Sequence, residues 1–564
     1  MFIKTVKAKN YEYIQLVESY REDGTTKHRV LYNFGRRDLI KDNAMFHNVV
    51  RRLNEIAGMA TPLEQANKLP ECSDAVPFNY GHLAYAKLWK SIGVENSFDA
   101  IQRNSKLSFS LADITLFLAI QHLLSPRSKL GAHQHQEDYY GYSDIPIQHL
   151  YRALDKLADS KNTLEDALFY ENFVRSGQQL DVVFYDVTTF YFESTVADGL
   201  RDFGYSKDNK VGEVQVVMGL LIDSRGMPVG YELYPGNTYE GDTIIAAVTK
   251  LKERFGLRRV ILVADKGLNS KKNLLLLSQA GFGYVVASRL KSMKKSIQQK
   301  VFDPHGYQQG GTKENVFSFK VLPYDNPVED ENGQKTVLKE QLIITYSAKR
   351  AAKDRADRQR LIDKALKLAK KPSQIKASFR RGGRKYLRLV EGAEPKYTVD
   401  QDLITRDEQF DGYYAIQTSE QTLSADDVLE AYSTLWKIEA SFRLMKSTLE
   451  VRPVFHWTPQ RIRGHFVVCF LAFLLERSLE KLLSDNEETE AFPDKIREAL
   501  NSMKLLCLNM NGEEVYLREK HKPLATAIFR LLKIPLPKNL SSKTDIDKGF
   551  HFAASKKWSQ LTLL

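Results

Sequence analysis

LDVVFYDVTTFYFES, residues 180–194, is an apolar run rich in β-branched and aromatic residues that closes on one acid, Asp186. Such a composition predicts a buried β-strand. Downstream, EVQVVMGLLIDS (213–224) and MPVGYELYPGNTYEGD (227–242) read as two more strands joined by turns. TIIAAVTKLKERFG (243–256) reads as a helix. RRVILVADKGLNS (258–270) is another buried strand, and it too closes on an acid, Asp265. SKKNLLLLSQAG is then a helix and FGYVVAS a last short strand. Three consecutive strands followed by alternation of strand and helix predict an α/β sheet with mixed strand directions.

Six regions follow from this centre. Residues 1–40 form a small β unit, with YEYIQLVESY and KHRVLYNFG as strands around an Asp-Gly turn. Residues 41–175 are mainly helical and fit a DNA-binding region of the helix-turn-helix sort, with a break at Pro126, Arg127 and Lys129. Any helical bundle has such breaks, so a plain bundle is the alternative. Residues 176–290 are the first part of the α/β core, and 291–405 are a β-rich, basic insertion containing AKRAAKDRADRQRLIDKALKLAKKP. That tract reads as a phosphate-tracking surface or as a solvated helix face. Residues 406–485 are the second part of the core, and 486–564 a C-terminal region to which the sequence assigns no specific role, with dimerisation as the candidate.

The chain has 564 residues, enough for about three or four domains. Its 82 basic and 70 acidic residues leave a net charge of +12, which points to a polyanionic partner, nucleic acid first. Cys72, Cys469 and Cys507 form no CxxC pair and no metal-ligand spacing, as expected in a reducing compartment. Cys469 reads as plain core. MFIKTVKAKN at the start lacks the apolar run of a signal peptide. The longest apolar stretch, Phe466–Leu475, is about half a membrane span. A cytoplasmic protein with no membrane partner is expected.

YSTLWKIEASFRLMKSTLEVR, residues 432–452, places Leu435, Ile438, Phe442, Met445 and Leu449 at three- and four-residue steps. This predicts one amphipathic helix carrying a single mid-helix acid, Glu439. Alone, it reads first as an ordinary helix with a solvated face. Combined with Asp186 and Asp265 at two strand ends, it supplies a third hard oxygen ligand. Such a set suits two Mg²⁺ ions, or Mn²⁺, in an in-line phosphoryl transfer. Arg461 and Arg463, beyond this helix, are within reach of phosphate.

The order of strand-Asp186, strand-Asp265, insertion and helix-Glu439 resembles the DDE transposases of bacterial insertion sequences, most of all the IS-four superfamily. Its third motif is Tyr-x2-Arg-x3-Glu-x6-Lys, and Tyr432, Glu439 and Lys446 fall on it; YDVTTFYFES and VADKG match the first two motifs. Leu435 stands where the motif has arginine, and Arg443 is the nearest substitute on the same face. The resemblance implies an RNase H-like core with Asp186, Asp265 and Glu439 as catalytic metal ligands. It also implies that Tyr432 and Lys446 contact transposon-end phosphates. The implied activity is binding of terminal inverted repeats in double-stranded DNA, nicking and excision of the element, and joining of its 3′ ends to target DNA by a homodimer. Excision through a hairpin would need a base taken out of the stack, with Trp436 or Trp457 as support. A domesticated DNA-binding protein without catalysis, and an RNase H-fold nuclease without strand transfer, are the alternatives.

Overall fold

The computed structural model describes residues 1–8, 10–40, 43–59, 77–175, 182–192, 194–204, 213–238, 240–255, 260–264, 269–312, 315–330, 332–369, 382–390, 396–433, 435–449, 454, 456–488, 492–510 and 513–551. These fall into two compact units. One comprises Met1–Pro77 with Leu505–Arg518 and Pro537–Ile546; the other holds Phe78–Lys504 and the remaining segments.

The smaller unit opens with an antiparallel meander of β1 (Phe2–Ala8), β2 (Tyr11–Glu22) and β3 (Thr25–Arg36). The β2–β3 turn falls on Asp23 and Gly24, both with positive φ (49° and 74°). Asp-Gly is the pair that tolerates that backbone, so the predicted turn is where the sequence put it. A helix follows, Ala44–Ile56, whose Asn43 side chain accepts from the Met45 and Phe46 N–H groups.

The larger unit begins at the short strand β4 (Pro77–Asn79) and passes through the predicted helices. Among them are Leu83–Ser91, Leu111–Leu124 and Ile147–Phe169. The main sheet is then built from β5 (Val182–Tyr191), β6 (Gln215–Asp223), β7 (Pro228–Pro235), β8 (Ile261–Ala264) and β9 (Gly283–Ala287). It continues with β10 (Gln308–Thr312), β11 (Asn315–Glu329) and β12 (Lys335–Tyr346). A small hairpin, β13 (Leu387–Val390) and β14 (Lys396–Val399), precedes β15 (Tyr413–Thr418), the last strand of the main sheet. The order across it is β10-β11-β12-β15-β9-β8-β5-β6-β7. β5, β8 and β9 are mutually parallel neighbours, and the other pairings are antiparallel. The predicted mixed α/β sheet is therefore present. Of the strands of 291–405, β10, β11 and β12 do not stand apart from it, because β15 lies between β12 and β9 and joins them edge to edge, whereas β13 and β14 pair with each other as a separate two-stranded sheet. β16 (Lys504–Met510), β17 (Glu513–Arg518) and β18 (Leu540–Ser542) pair antiparallel in the smaller unit's part of the chain.

Strand periodicity assigns the two faces of β5. Val183, Tyr185 and Val187 enter a core with Phe169, Ala247, Val248, Leu274 and Leu277, so the helices Glu240–Phe255 and Lys271–Gln279 cover that face. Gly219 makes room there: a Cβ on it would lie 2.4 Å from the Tyr185 hydroxyl. Phe184, Asp186, Thr188 and Phe190 share the opposite face. Phe190 meets Phe466 edge-on, ring centroids 5.1 Å apart, under the long helix Pro459–Ser484. That helix packs closely on Ile147–Phe169, because a Cβ on Gly464 would come within 2.0 Å of the Leu154 carbonyl oxygen. No helix among the described residues is long and apolar enough to cross a membrane.

The single helix expected over 432–452 is instead three pieces. Ala425–Ser433 and Trp436–Arg443 are α-helical, and Leu444–Thr448 is a π-helical turn closed by the Leu449 N–H on the Leu444 carbonyl at 2.9 Å. The Ser433 hydroxyl donates to the Glu430 carbonyl at 2.8 Å, a local bond that competes with helix continuation. The apolar stripe survives the breaks: Leu435, Ile438, Phe442, Met445 and Leu449 are all buried.

Candidate active site

Asp186 stands not at a strand end, as the sequence predicts, but in the interior of β5, because the strand runs on through the β-branched and aromatic VTTFY to Tyr191; it lies opposite Leu220 of β6 and is half-buried. Its Oδ1 accepts the Val187 N–H at 2.8 Å. On its other side β5 runs parallel to β8 in the register Val182–Ile261, Val183–Leu262 and Phe184–Val263. The condition under which the two sequence-predicted aspartates could face each other, adjacent parallel strands, is thus met by β5 and β8. Asp186 stands two residues beyond Phe184 in the sequence, and Asp265 two beyond Val263. Asp265 itself lies outside the described residues.

Glu439 belongs to the helix Trp436–Arg443, which packs against β5. Ile438 and Phe442 are buried there, while Glu439 and Arg443, one turn apart, are exposed. Two bonds hold this short helix in place. Lys437 Nζ donates to the Ser224 carbonyl at 2.7 Å, fixing it to the β6–β7 turn. Arg477 Nη2 donates to Ser441 Oγ at 3.2 Å, fixing it to the long helix. The preceding helix, Ala425–Ser433, lies over β15, β9 and β8. The pair therefore spans the sheet on its way to β5.

Tyr432 is half-buried, and its hydroxyl shares a 2.5 Å hydrogen bond with the Tyr414 hydroxyl of β15. Arg350 lies 4.3 Å from the Tyr414 ring centroid. Sequence reasoning missed both Tyr414 and Arg350; the Tyr-Tyr pair in FDGYYAIQTS was read only as strand. Tyr414 and Arg350 line a cavity of about 850 Å³ with Arg289, Lys291, Arg358 and Lys385. Arg350 and Arg358 come from the helix Ala348–Ala369, the basic tract. Its cations divide. Arg358 is buried and paired with Glu408 and Asp411, whereas Lys349, Lys353, Arg355, Lys364 and Lys367 are exposed.

Lys446, in the π turn, places Nζ 5.8 Å from the Phe190 ring centroid. Arg461 and Arg463 lie in the first turns of the long helix. Arg461 Nε is 3.2 Å from Asp155 Oδ1, and its guanidinium lies 4.9 Å from the Tyr151 ring centroid. It is thus tied to the helix Ile147–Phe169. Arg463 is exposed. Leu435 is 8% exposed at the start of the Glu439 helix, so the motif's arginine position is a core position in this chain. Trp457 is exposed, with Arg201 5.7 Å from its ring; the Trp436 side chain lies outside the described residues. The structure thus brings Asp186, Lys446 and the Glu439 helix to one strand, β5, and Tyr432 to β15, which is separated from β5 by β9 and β8. Arg461 is elsewhere, on the helical layer.

Two families match the chain. The IS1634 family transposase N-terminal domain matches residues 3–62, and the transposase DDE domain matches residues 177–475. No curated protein matches. Among solved structures, one similar chain is a piggyBac transposase in a synaptic complex with hairpin DNA, determined by cryo-electron microscopy. It is 11% identical, with a TM-score of 0.36, over 87% of this chain and 90% of that one.

Proposed function

Because the transposase DDE domain matches more than half of it, the chain belongs to the DDE transposase family of insertion sequences, and on that premise we propose that it cuts and joins the ends of its own element. The substrate is double-stranded DNA with terminal inverted repeats. The element is nicked and excised, and its 3′ ends are joined to target DNA in the cytoplasm by a homodimer that brings two ends together. The finer placement is the IS-four superfamily with an RNase H-like core. The β7-β6-β5-β8-β9 order, three antiparallel strands followed by two parallel ones, supports that placement.

The observation that carries the function is the parallel pairing of β5 with β8 beneath the Glu439 helix. It supports Asp186, Asp265 and Glu439 as one constellation of hard carboxylate donors. The family uses divalent metal ions, and these three residues would hold them, Mg²⁺ or Mn²⁺, two in number. When bound, such ions activate the attacking oxygen and neutralise the leaving one. The chain's own part is positional. Lys446 and Tyr432 hold the end phosphates over β5 and β15, and exposed Arg443 and Arg463 add charge beside them. Arg461 joins them once its pair with Asp155 opens. The exposed lysines of Ala348–Ala369 extend the phosphate path beyond the sheet edge.

The test is incubation of purified protein and Mg²⁺ with labelled element ends and a target plasmid. Strand cleavage followed by joining is expected. Binding without cleavage would replace the enzyme reading with that of an inactive DNA-binding protein. Cleavage without joining would make the chain a nuclease.

A further inference from the structure

We propose that His122, His465 and Cys469 form a buried site for a thiophilic divalent metal ion, Zn²⁺ first. The side chains come from two helices. His465 and Cys469 are four residues apart on Pro459–Ser484 and so share one face. His122 comes from Leu111–Leu124, which packs against it. One ligand atom from each of the three lies within 4.8 Å of the others, and all three residues are buried. Cys469 Sγ is 3.6 Å from His465 Nε2. The His456 ring centroid is 5.1 Å from that of His465, and His456 is also buried. Imidazoles with a thiolate are the donor set of zinc and not of magnesium, so the site is chemically distinct from the carboxylates.

Two further observations point to a cation at this place. His122 Nδ1 lies 3.0 Å from the Leu449 carbonyl oxygen, to which it donates. A backbone carbonyl bound in this way fixes the tautomer and leaves the lone pair on Nε2, the arrangement of a metal-bound histidine. Opposite that Nε2, at 3.3 Å, is the Nζ of Lys129, a lysine only 5% exposed. Among the described residues it forms no ion pair with a carboxylate. The Nε2 lone pair thus already accepts from a buried ammonium. Metal uptake moves the ammonium aside and releases the Cys469 thiol proton to solvent. The ion would join two helices and, through His122 and Leu449, the end of the π turn that follows Glu439. Its role is to hold that segment in place.

The full-length double variant Cys72→Ser/Cys507→Ser leaves Cys469 as the sole thiol. After chelator treatment it is titrated with Co²⁺ alone. One Co²⁺ per chain is expected, with a thiolate-to-cobalt charge-transfer band and tetrahedral visible bands, all abolished by added Zn²⁺. Wild-type protein, purified without added metal, is expected to carry close to one zinc per chain by plasma emission. Absence of the charge-transfer band, or a band that persists unchanged in His122→Gln on the same background, overturns the proposal. Wild-type protein that neither retains nor takes up zinc overturns it without recourse to variants.

Discussion

The ammonium of Lys446 lies 5.8 Å from the ring centroid of Phe190, four residues beyond Asp186 on the same strand and the same face. A helix carrying an exposed acid and a strand carrying a half-buried one thereby meet at the place proposed for the end phosphates. Substitutions around this contact separate binding from chemistry.

Lys446→Ala should weaken binding to element ends about equally for every sequence and lower the salt slope of binding by about 1, because it removes one phosphate contact. Tyr432→Phe, which keeps the ring but loses the bond to Tyr414, should cost less than about tenfold in affinity, the scale of one hydrogen bond. Fluorescence anisotropy over a salt series distinguishes the two.

Leu435→Arg restores the motif's arginine yet should not restore a DNA contact. At 8% exposure the new guanidinium would enter the core beside Ile438, with an expected loss of about 3 kcal/mol or more. Urea unfolding reads this directly. A variant as stable as wild type that binds ends more tightly would show that the position opens to DNA.

Glu476 provides a pH signature. Burial, reinforced by the charge of Glu480, pushes its carboxyl up to about 8, and the Tyr85 hydroxyl donates to Oε2 at 2.5 Å. The folded chain keeps this proton where the unfolded chain, near the ordinary 4.5, has released it. This group's penalty is therefore absent below that value and grows as pH rises toward about 8. Glu476→Gln should flatten the decline of the thermal midpoint between about pH 5 and about pH 8 and exceed wild type at the upper end.

Gly464→Ala tests the helix pair that backs the site. The added methyl would fall 2.0 Å from the Leu154 carbonyl oxygen, so the two helices must separate. A loss of about 2 kcal/mol or more is expected. Calorimetry measures it.

Much of this architecture was legible because strands announce themselves by composition. The runs around Asp186 and Asp265 gave β5 and β8, and the Asp-Gly pair gave the β2–β3 turn. What local pattern could not give was sheet order. Nothing in residues 308–346 says that β12 will meet β15 and make the insertion part of the sheet, since that pairing spans about seventy residues of sequence. The buried stripe of 432–452 was read correctly, but its breaks were not. A π turn keeps the three- and four-residue apolar spacing nearly intact, so periodicity does not reveal it. Arg461 read as a free cation because its partner Asp155 lies on a helix about three hundred residues earlier. Cys469 was read as core and is fully buried; that His122 lies beside it and His465 was not legible, because His122 reaches them only through folding.

The central claim is that Asp186, Asp265 and Glu439 act as one catalytic set. Single-turnover cleavage of labelled element ends in Mg²⁺, by wild type and by Asp186→Ala, Asp265→Ala and Glu439→Ala, tests it most directly. Each variant should bind ends within about threefold of wild type and lose cleavage by about a thousandfold or more, since loss of a metal ligand removes several kcal/mol of transition-state stabilisation. Cleavage that survives any one of the three substitutions at near wild-type rate would contradict the account.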